Sequence, residues 1–497
     1  MIMRAICLGL KRQILNGACG IGNRSHRFTC GVLVFVLFLM FASGSEATTR
    51  WAAAYGGTKS EFFKSLQQTK GGSYVFAGST RSFGAAGEEW NDGWVVKLDK
   101  YGRVSWSKRF GGTDWKDWDG FSSIRQTVDG GYIVAGETWS FGAGSSDAWV
   151  IKLNASGGIT WQKTYGGTGG DQADCIRQTA DNGYIVAGST RSFGTNKDIW
   201  VFKLTSSGTI VWQKTYGGTD GEEDALVEQT SDGGYIVAAR TWSFGAGYVD
   251  ILFLKLDANG IVEWRRTYGG SGWDEANTIR QTSDNGYIIA GTTGSFGVGR
   301  DNVWLIRLDQ YGSLLWQKTY GGDDSYESSY GNYLDITRDG NFIVAGYTES
   351  FGAGWSDIWV LKINTSGQVL WEKRYGTAAG SDPAYFIQQT FDGGYMIAGQ
   401  NDLFGDQLDI YLYKLDENGD LPPCISGFET HTTNAVVFTP SLPWIFFKPL
   451  NVQDTTATVN NSNAVVNNTT PTVQPLCPYD GHFNDHLPPI FLMLLGE

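Results

Sequence analysis

The feature that most constrains the fold of this chain is a tryptophan that recurs at intervals of 51 to 55 residues. Seven positions belong to the series: Trp51, Trp106, Trp161, Trp212, Trp264, Trp316 and Trp371. Around each of them the sequence repeats four short segments rich in β-branched and aromatic residues, which end in Gly, Asp or Asn. Four strands in a repeat of roughly 50 residues are typical of one blade of a β-propeller. The sequence therefore predicts an all-β fold, a seven-bladed β-propeller of four-stranded blades.

The order of the strands within a blade follows from their patterning. The segment Tyr-Ile-Val-Ala is apolar without alternation, as expected of a strand that is buried on both faces. The segment around Trp161 alternates, with Trp161 and Tyr165 on one face and Gln162 and Thr164 on the other, which is typical of a half-exposed outer strand. We therefore predict that Ile-Arg-Gln-Thr forms the innermost strand A, followed outwards by Tyr-Ile-Val-Ala (B), Trp-Val-Phe-Lys-Leu (C) and the tryptophan segment (D).

The two ends of the repeat region complement each other. The first repeat begins with a lone D segment, Arg50–Tyr55, and the last one ends after its C segment, Asp409–Leu415, without a tryptophan. An incomplete blade would expose unpaired strand edges. We therefore predict that the N-terminal strand completes the last blade and closes the ring.

The regions that flank the repeats differ from them in composition. Residues 1–47 combine basic residues with the short apolar run Val32–Phe41 and with small residues at Ser45 and Ala47, which predicts a signal peptide; an uncleaved anchor is the alternative. We expect the propeller to span residues 48–420, and residues 421–497 to form a low-complexity Thr/Asn-rich C-terminal tail that serves as a linker or stalk. The protein is expected to be secreted, periplasmic or on the cell surface, monomeric, and without a stable membrane span after cleavage.

The net charge limits the classes of partner that the protein can bind, and the cysteine content bears on its cellular compartment. The net charge is −13, and removal of residues 1–47, which hold five basic residues and one acid, makes it −17. A chain this acidic is not expected to bind nucleic acid. Cys175 falls within a repeat strand and is expected in the core. In an oxidising compartment, Cys424 and Cys477 are then the natural disulfide pair.

Groups suited to catalysis are scarce. The four histidines are His26, His431, His482 and His486, so none lies within residues 48–420. This excludes a Ser-His-Asp triad and a His-ligated metal from the propeller. The Asp that precedes strand C in six repeats is Asn302 in the fifth, which favours hydrogen bonding to nearby backbone over a ring of metal ligands. The sequence predicts no catalytic residue, no metal site and no cofactor; calcium held by loop carboxylates is an alternative without specific support.

The segments that vary between repeats are the connections from D to A and from B to C, which share one face of a propeller. They carry large aromatic residues, seven of which we take as candidate ligand-binding residues: Trp115, Trp118, Trp139, Trp242, Trp273, Tyr326 and Trp355. Such rings, with carboxylates beside them, can stack on sugars or hold cationic peptides. The alternative is that they pack over the blade ends.

The repeat consensus, with Gly-Gly-Tyr-Ile-Val-Ala-Gly, Ser-Phe-Gly-Ala-Gly and Trp-Gln-Lys-Thr-Tyr-Gly-Gly, resembles secreted prokaryotic β-propeller repeat proteins related to quinoprotein-like and kelch-like repeats. The resemblance covers residues 50–420. A quinoprotein dehydrogenase would imply a quinone cofactor, eight blades and adjacent cysteines, and this chain has seven repeats and no adjacent cysteines. Three hypotheses follow: a non-catalytic binding propeller for a glycan or protein partner, a polysaccharide-active enzyme that uses loop carboxylates, and a structural protein of the cell envelope.

Overall fold

The structure is a computed structural model that describes residues 49–83, 90–112, 118–194, 196–322, 328–350, 355–376, 381–401 and 408–422. It also describes the backbone of six short strands between residues 429 and 475. All of these residues belong to the unit Thr48–Glu497. Within these ranges the chain forms strands and turns, and no helix is long and apolar enough to cross a membrane.

The two inner strands of each blade are those named A and B. The A strands are β2 (Glu61–Gln68), β6 (Asp119–Gln126), β10 (Asp171–Gln178), β14 (Glu222–Gln229), β18 (Asp274–Gln281), β22 (Ser329–Ile336) and β26 (Ala384–Gln389). The B strands are β3 (Tyr74–Thr80), β7 (Tyr132–Thr138), β11 (Tyr184–Thr190), β15 (Tyr235–Thr241), β19 (Tyr287–Thr293), β23 (Phe342–Thr348) and β27 (Tyr395–Asn401).

The two outer strands are those named C and D. The C strands are β4 (Asp92–Leu98), β8 (Asp147–Leu153), β12 (Asp198–Leu204), β16 (Asp250–Leu256), β20 (Asn302–Leu308), β24 (Asp357–Ile363) and β28 (Asp409–Leu415). The D strands are β5 (Val104–Gly111), β9 (Ile159–Gly166), β13 (Ile210–Gly217), β17 (Val262–Tyr268), β21 (Leu314–Gly321), β25 (Val369–Gly376) and, for the last blade, β1 (Trp51–Gly56).

Each blade is an antiparallel sheet in the order A, B, C, D, which confirms the seven-bladed propeller. Blades one to six run from β2 to β25 in chain order, and blade seven consists of β26, β27, β28 and β1. Strand β1 pairs with β28 from Trp51 opposite Lys414 to Tyr55 opposite Ile410. The N-terminal strand therefore occupies the position that the sequence predicts for it.

Burial follows the predicted layers. Six of the seven B strands are buried or nearly so along their described length, and the C strands are almost wholly buried, because both faces of these strands pack against neighbouring blades. The D strands alternate at their outer ends, as in β13, where exposed Val211 lies between half-buried Ile210 and Trp212. Hydrophobic clusters lie between successive blades, so the core is a ring of blade interfaces.

The recurring tryptophan and tyrosine of strand D join each blade to the next one. The Trp51 indole donates a hydrogen bond to the carbonyl of Lys100 at 3.1 Å, and the Tyr55 hydroxyl donates to the carbonyl of Gly102 at 2.6 Å. Gly102 has a φ of 82°, and an added Cβ would lie 2.8 Å from the Trp51 ring, so this turn requires glycine. The same tyrosine contact is made by Tyr165, Tyr216, Tyr268, Tyr320 and Tyr375. The tryptophan series is therefore scaffold.

Six short strands lie in the segment that we expected to form a linker or stalk. They pair antiparallel with D strands and give six blades a fifth strand: β29 (Glu429–His431) on β25, β30 (Val436–Phe438) on β21, β31 (Asn451–Asp454) on β13, β32 (Thr458–Asn461) on β9, β33 (Val465–Asn468) on β5 and β34 (Thr472–Pro475) on β1. The tail visits these blades in reverse chain order. The physical reason is that each D strand offers an unpaired edge to any extended segment.

We predict that Cys424 and Cys477 form the only disulfide and that Cys175 remains a thiol. Both cysteines of the pair lie outside the described residues; β29 begins five residues after Cys424, and β34 ends two residues before Cys477, on the neighbouring blades six and seven. Cys175 is a buried free thiol. The bridge is worth about 4 kcal/mol in the chain-entropy model. Mass mapping of a non-reduced digest checks the pairing, and a bridge that contains Cys175 would contradict it.

Candidate functional site

The connections from D to A and from B to C lie together on one face, as predicted. The Trp139 amide, just after a B strand, donates to the carbonyl of Trp118, just before an A strand, at 3.0 Å. The same bond joins the amide of Trp242 to the carbonyl of Gly221 at 3.0 Å. Isolated bridges such as Val249 with Trp273 add a second contact between the two kinds of loop. We call this surface the loop face.

The candidate aromatic residues are spread over several blades of the loop face. Trp115 and Tyr326 lie outside the described residues. Trp139 and Trp355 have exposed fractions of 52% and 86%, whereas Trp118 is half-buried and lies over Gly120. Within the described part of the chain, no ring contact joins these three side chains.

Trp242 and Trp273 are two candidates whose rings the fold brings into contact. They join Tyr248 in an aromatic cluster at the junction of blades four and five. The centroid of the Trp273 ring lies 5.9 Å from that of Trp242, at 85°, and 5.8 Å from that of Tyr248, at 40°. Tyr248 is 68% exposed and Trp273 is 36% exposed, so the cluster shows ring surface to solvent while its members hold each other in place. We refer to these three residues as the aromatic cluster.

Charged groups fix the orientation of the aromatic cluster. The Arg240 guanidinium lies 5.6 Å from the centroid of the Trp273 ring and forms ion pairs of 2.6 Å with both Asp224 and Glu275. The Trp273 indole donates to Glu275 Oε2 at 3.0 Å. A cation over the ring and a hydrogen bond at its edge restrain the indole, which lowers the entropy lost when a ligand stacks on it.

The carboxylates that open the A strands are buried, which differs from their expected place in the loops. Each first A-strand acid lies beside the first C-strand acid of the preceding blade, in the pairs Asp409 with Glu61, Asp92 with Asp119, Asp147 with Asp171, Asp198 with Glu222 and Asp250 with Asp274. The pairs bracket glycines such as Gly269, where an added Cβ would overlap Asp250 Oδ1 and lie 2.9 Å from Asp274 Oδ2. These acids do not reach a ligand on the loop face.

Hydrogen bonding shows that these acids serve the scaffold. Asp147 Oδ2 accepts from the amides of Ala143 and Gly144 at 2.9 and 3.2 Å, as predicted for the residue before strand C. Asp274 accepts from the Ser295 hydroxyl at 2.6 Å, which is the serine of a Ser-Phe-Gly turn. Burial raises the pKa of Glu61, Glu222 and Asp250 to about 7. Among the described residues, no group of three or more metal-ligating side chains is present.

The axis of the propeller holds a feature that sequence reasoning missed. All seven A strands line a cavity of about 400 Å³, which narrows into a second cavity of about 180 Å³. The larger one is lined by residues near the start of the A strands, such as Phe63 and Ser65, so it lies toward the loop face. The narrow one is lined by the residues at one equivalent strand position: Gln67, Arg125, Arg177, Glu228, Arg280, Asp335 and Gln388. We call this series the axial ring.

Variation between repeats was the signal for the axial ring. The next residue along strand A is Gln in six blades, and it accepts an amide hydrogen bond from the preceding blade, as Gln178 does from Val128 at 2.9 Å. The axial position instead holds Gln, Arg, Glu or Asp, and polar residues of both charges at the centre of a fold are seldom needed for packing alone. A comparison of the seven repeats therefore shows a variable axial position next to a nearly constant Gln position.

Comparisons with known proteins identify no family for this chain. No family model matches the chain, and no curated protein matches its sequence. Among solved structures, puromycin hydrolase is similar at 11% identity with a TM-score of 0.37, over 70% of this chain and 50% of that one. The chain thus spans about half the length of that enzyme. The endo-1,5-α-L-arabinanase of Thermotoga petrophila RKU-1 is similar at 11% identity and a TM-score of 0.28, over 75% of this chain and 100% of that one.

The class of protein is defined by the strand order. The chain is a seven-bladed β-propeller, because it forms seven four-stranded antiparallel blades around a central cavity that the A strands line. Its particular role has to be argued from its own loop face and axis, because propellers host many functions.

Proposed function

We propose that the protein is a non-catalytic binding propeller that recognises a glycan through the loop face, with the aromatic cluster as the main contact. The observation that carries the proposal is the restrained, partly exposed ring pair of Trp273 and Tyr248. Ring faces stack on the C–H faces of sugars, and the nearby Asp224 and Glu275 carboxylates can accept hydrogen bonds from hydroxyl groups. A protein partner is the alternative occupant of the same face.

The acids favour binding over sugar cleavage. A glycosidase needs two carboxyl groups about 5 to 10 Å apart across a groove that admits the substrate. The carboxyl pairs formed by the first acids of the A and C strands lie at blade junctions, where both Asp250 and Asp274 are buried. A substrate cannot contact them without separating two blades. Asp224 and Glu275, which lie on the loop face, are both paired with the Arg240 guanidinium.

The remaining expectations extend this proposal. The basic and apolar residues 1–47 support export, and glycans recognised outside the cytoplasm are consistent with that compartment. The repeat consensus supports kinship with secreted prokaryotic propeller repeat proteins. A monomer that uses no cofactor fits a binding role, since the aromatic cluster is contributed by one chain.

A glycan array probed with residues 48–497 tests the proposal, followed by titration of the best ligand. Replacing Trp273 with alanine is expected to weaken binding by about tenfold, since stacking is worth about 0.5 to 1.5 kcal/mol beyond burial. The matched control is Tyr311→Ala, which removes an exposed ring from a C-to-D turn on the opposite face. That variant is expected to bind as the parent does.

Two results would contradict the proposed glycan contact. Unchanged affinity of Trp273→Ala together with a large drop in Tm would show that the ring only packs, and the role of the aromatic cluster would be withdrawn. An array with no glycan signal, together with a protein partner whose binding Trp273→Ala weakens, would replace the glycan with a protein.

A further inference from the structure

We propose that the axial cavity is a second binding site, which takes the carboxylate of a small organic acid on Arg125 and Arg177. It goes beyond the proposed glycan contact, because neither arginine belongs to the loop face. The wide cavity of about 400 Å³ and the narrow one of about 180 Å³ share both guanidinium groups. A ligand that enters the wide part therefore reaches them before the axis narrows.

The hydrogen bonding of the three arginines of the axial ring is unequal. Arg280 donates to Glu228 Oε1 and to the Tyr333 hydroxyl, both at 2.6 Å. Arg177 Nη2 lies 3.9 Å from the same Glu228 oxygen, which Arg280 already occupies. One carboxylate thus serves two guanidinium groups, and it contacts Arg280 much more closely.

Arg125 has no carboxylate partner among the described residues. Its Nη1 donates to Ser65 Oγ at 3.0 Å and to the carbonyl of Ile124 at 2.6 Å. A guanidinium has five N–H donors, and these two bonds use the donors of a single nitrogen. Burial, and then the charge of Arg177, lower the pKa of Arg125 to about 10. The fold therefore maintains two neighbouring cations of which one is unneutralised, and an anion at this place would offset that cost.

The charge balance selects a monoanion. Three guanidinium groups face Glu228 and Asp335 in the narrow cavity, which leaves one positive charge in excess. Lys64 and Asp174 both line the wide cavity, and burial and the charge of Asp224 raise the pKa of Asp174 to about 7, so this pair adds no excess negative charge. A carboxylate carries one charge and matches the fork of a guanidinium with two oxygens. An inorganic phosphate at neutral pH carries more charge than the ring lacks.

The wide cavity gives the body of the ligand polar and aromatic contacts. Asn277, Asn332 and Gln400 line it with amides, and Tyr333 and Tyr385 line it with rings. Cavities of this size are in the range of small-molecule sites. A hydroxylated acid, such as a sugar acid that is free or at the end of a chain, has both the carboxylate and the polar body that this lining fits.

Calorimetric titration and thermal melting with glucuronate, glucose and inorganic phosphate test the site. Glucuronate is expected to bind and to raise the Tm, while glucose, which has the same ring without the carboxylate, is not. Arg125→Gln is expected to weaken glucuronate binding by at least about tenfold, the effect of one charge-assisted bond. The same change is expected to keep or raise the Tm of the unliganded protein, because it removes a buried like charge.

Three further variants make the result specific. Arg125→Lys keeps the charge without the fork and is expected to bind more weakly than the parent. Arg338→Gln removes an exposed arginine from an A-to-B turn and is expected to change neither binding nor Tm. Trp273→Ala is expected to leave glucuronate binding intact, because Trp273 does not line the cavity, so the axial site and the aromatic cluster can fail separately.

Several outcomes would overturn the proposal. Equal binding of glucose would show that the carboxylate is not recognised, and tighter binding of phosphate would show that the ring selects a dianion. Unchanged affinity of Arg125→Gln would show that the acid binds elsewhere. An oligomeric sugar acid that binds when glucuronate does not would show that the site takes only chain-borne residues, and the free acid would be rejected as its ligand.

Discussion

Deletion of residues 48–57 is expected to abolish cooperative melting of the protein and to cause aggregation. The deletion removes strand β1, all six of whose residues are buried, and exposes the edge of β28 in blade seven. It also removes the contacts of Trp51 and Tyr55 with the turn of blade one, so the first and last blades lose the outer part of their interface. An exposed long edge is a template for pairing with other chains. Size-exclusion chromatography and a thermal melt measure the result.

The matched control for the closure is Tyr55→Phe. It removes only the hydroxyl bond to Gly102, and blade one already carries phenylalanine, Phe110, at the equivalent position. The expected cost is about 1 kcal/mol, with cooperative melting preserved. If the deletion variant remains monomeric and melts at the Tm of the parent, the closure of the ring by β1 is wrong.

The Tm is expected to rise by several degrees when the pH falls from 8 to about 5. Burial raises the pKa of Glu61, Glu222 and Asp250 to about 7, above the value of about 4 that carboxyl groups have in an unfolded chain. Between about pH 4 and pH 7 the folded state therefore holds protons that the unfolded chain has already lost, and stability falls as the pH rises through this range. A pKa of about 7 against an ordinary 4.5 corresponds to on the order of 3 kcal/mol for each such group.

Aspartates in the turns limit the gain in stability at low pH. Burial alone would raise the pKa of Asp129, but hydrogen bonds from Lys152 and Thr127 outweigh it and lower this pKa to about 2. The pKa of Asp181 is also lowered to about 2. Their contribution is present above the unfolded pKa and is lost as the pH falls from about 4 through 2. Stability is therefore expected to be greatest near pH 5. Melting curves at intervals of one pH unit show the maximum.

The variant Asp250→Asn separates the carboxyl pairs from other titrations. The equivalent residue of blade five is Asn302, followed across the junction by Ser329, so the fold already accepts a neutral pair. We expect Asp250→Asn to raise the Tm at pH 8 and to leave it nearly unchanged at pH 5. Glu417→Gln, on an exposed turn, is the control and is expected to follow the parent. A parent Tm that is constant or lower at pH 5 than at pH 8 would show that the pairs are ionised in the fold.

The layers of each blade were predictable because each strand position has its own burial. A strand packed on both faces is apolar without alternation, as residues 184–188 of β11 are, and a half-exposed strand alternates, as Ile210–Gly217 does. The A strands were placed with less accuracy. Strand β14 begins at Glu222, five residues before Val227, where the pattern predicted for strand A starts. A buried glutamate that accepts a hydrogen bond from Thr241 does not resemble a strand residue in a sequence.

The candidate site was recovered only in part. Loop chemistry pointed to the aromatic residues, and the face that they share followed from the strand order. The contact of Trp273 with Trp242 and Tyr248 joins residues that are 31 and 25 positions apart, and no local pattern encodes it. Trp139 and Trp355, from the same pattern, are largely exposed and make no such contact.

The sequence by itself determined the blade count, the strand order and the closing role of Trp51–Gly56, since these depend on period, burial pattern and the need to pair every edge. Only the tertiary structure decided which polar groups meet. It placed Arg125 beside Arg177 and gave Glu228 to Arg280, and it paired the tail strands with the D edges. The physical reason is that these contacts join different blades, so they depend on how the ring closes in space and leave no periodic trace along the chain.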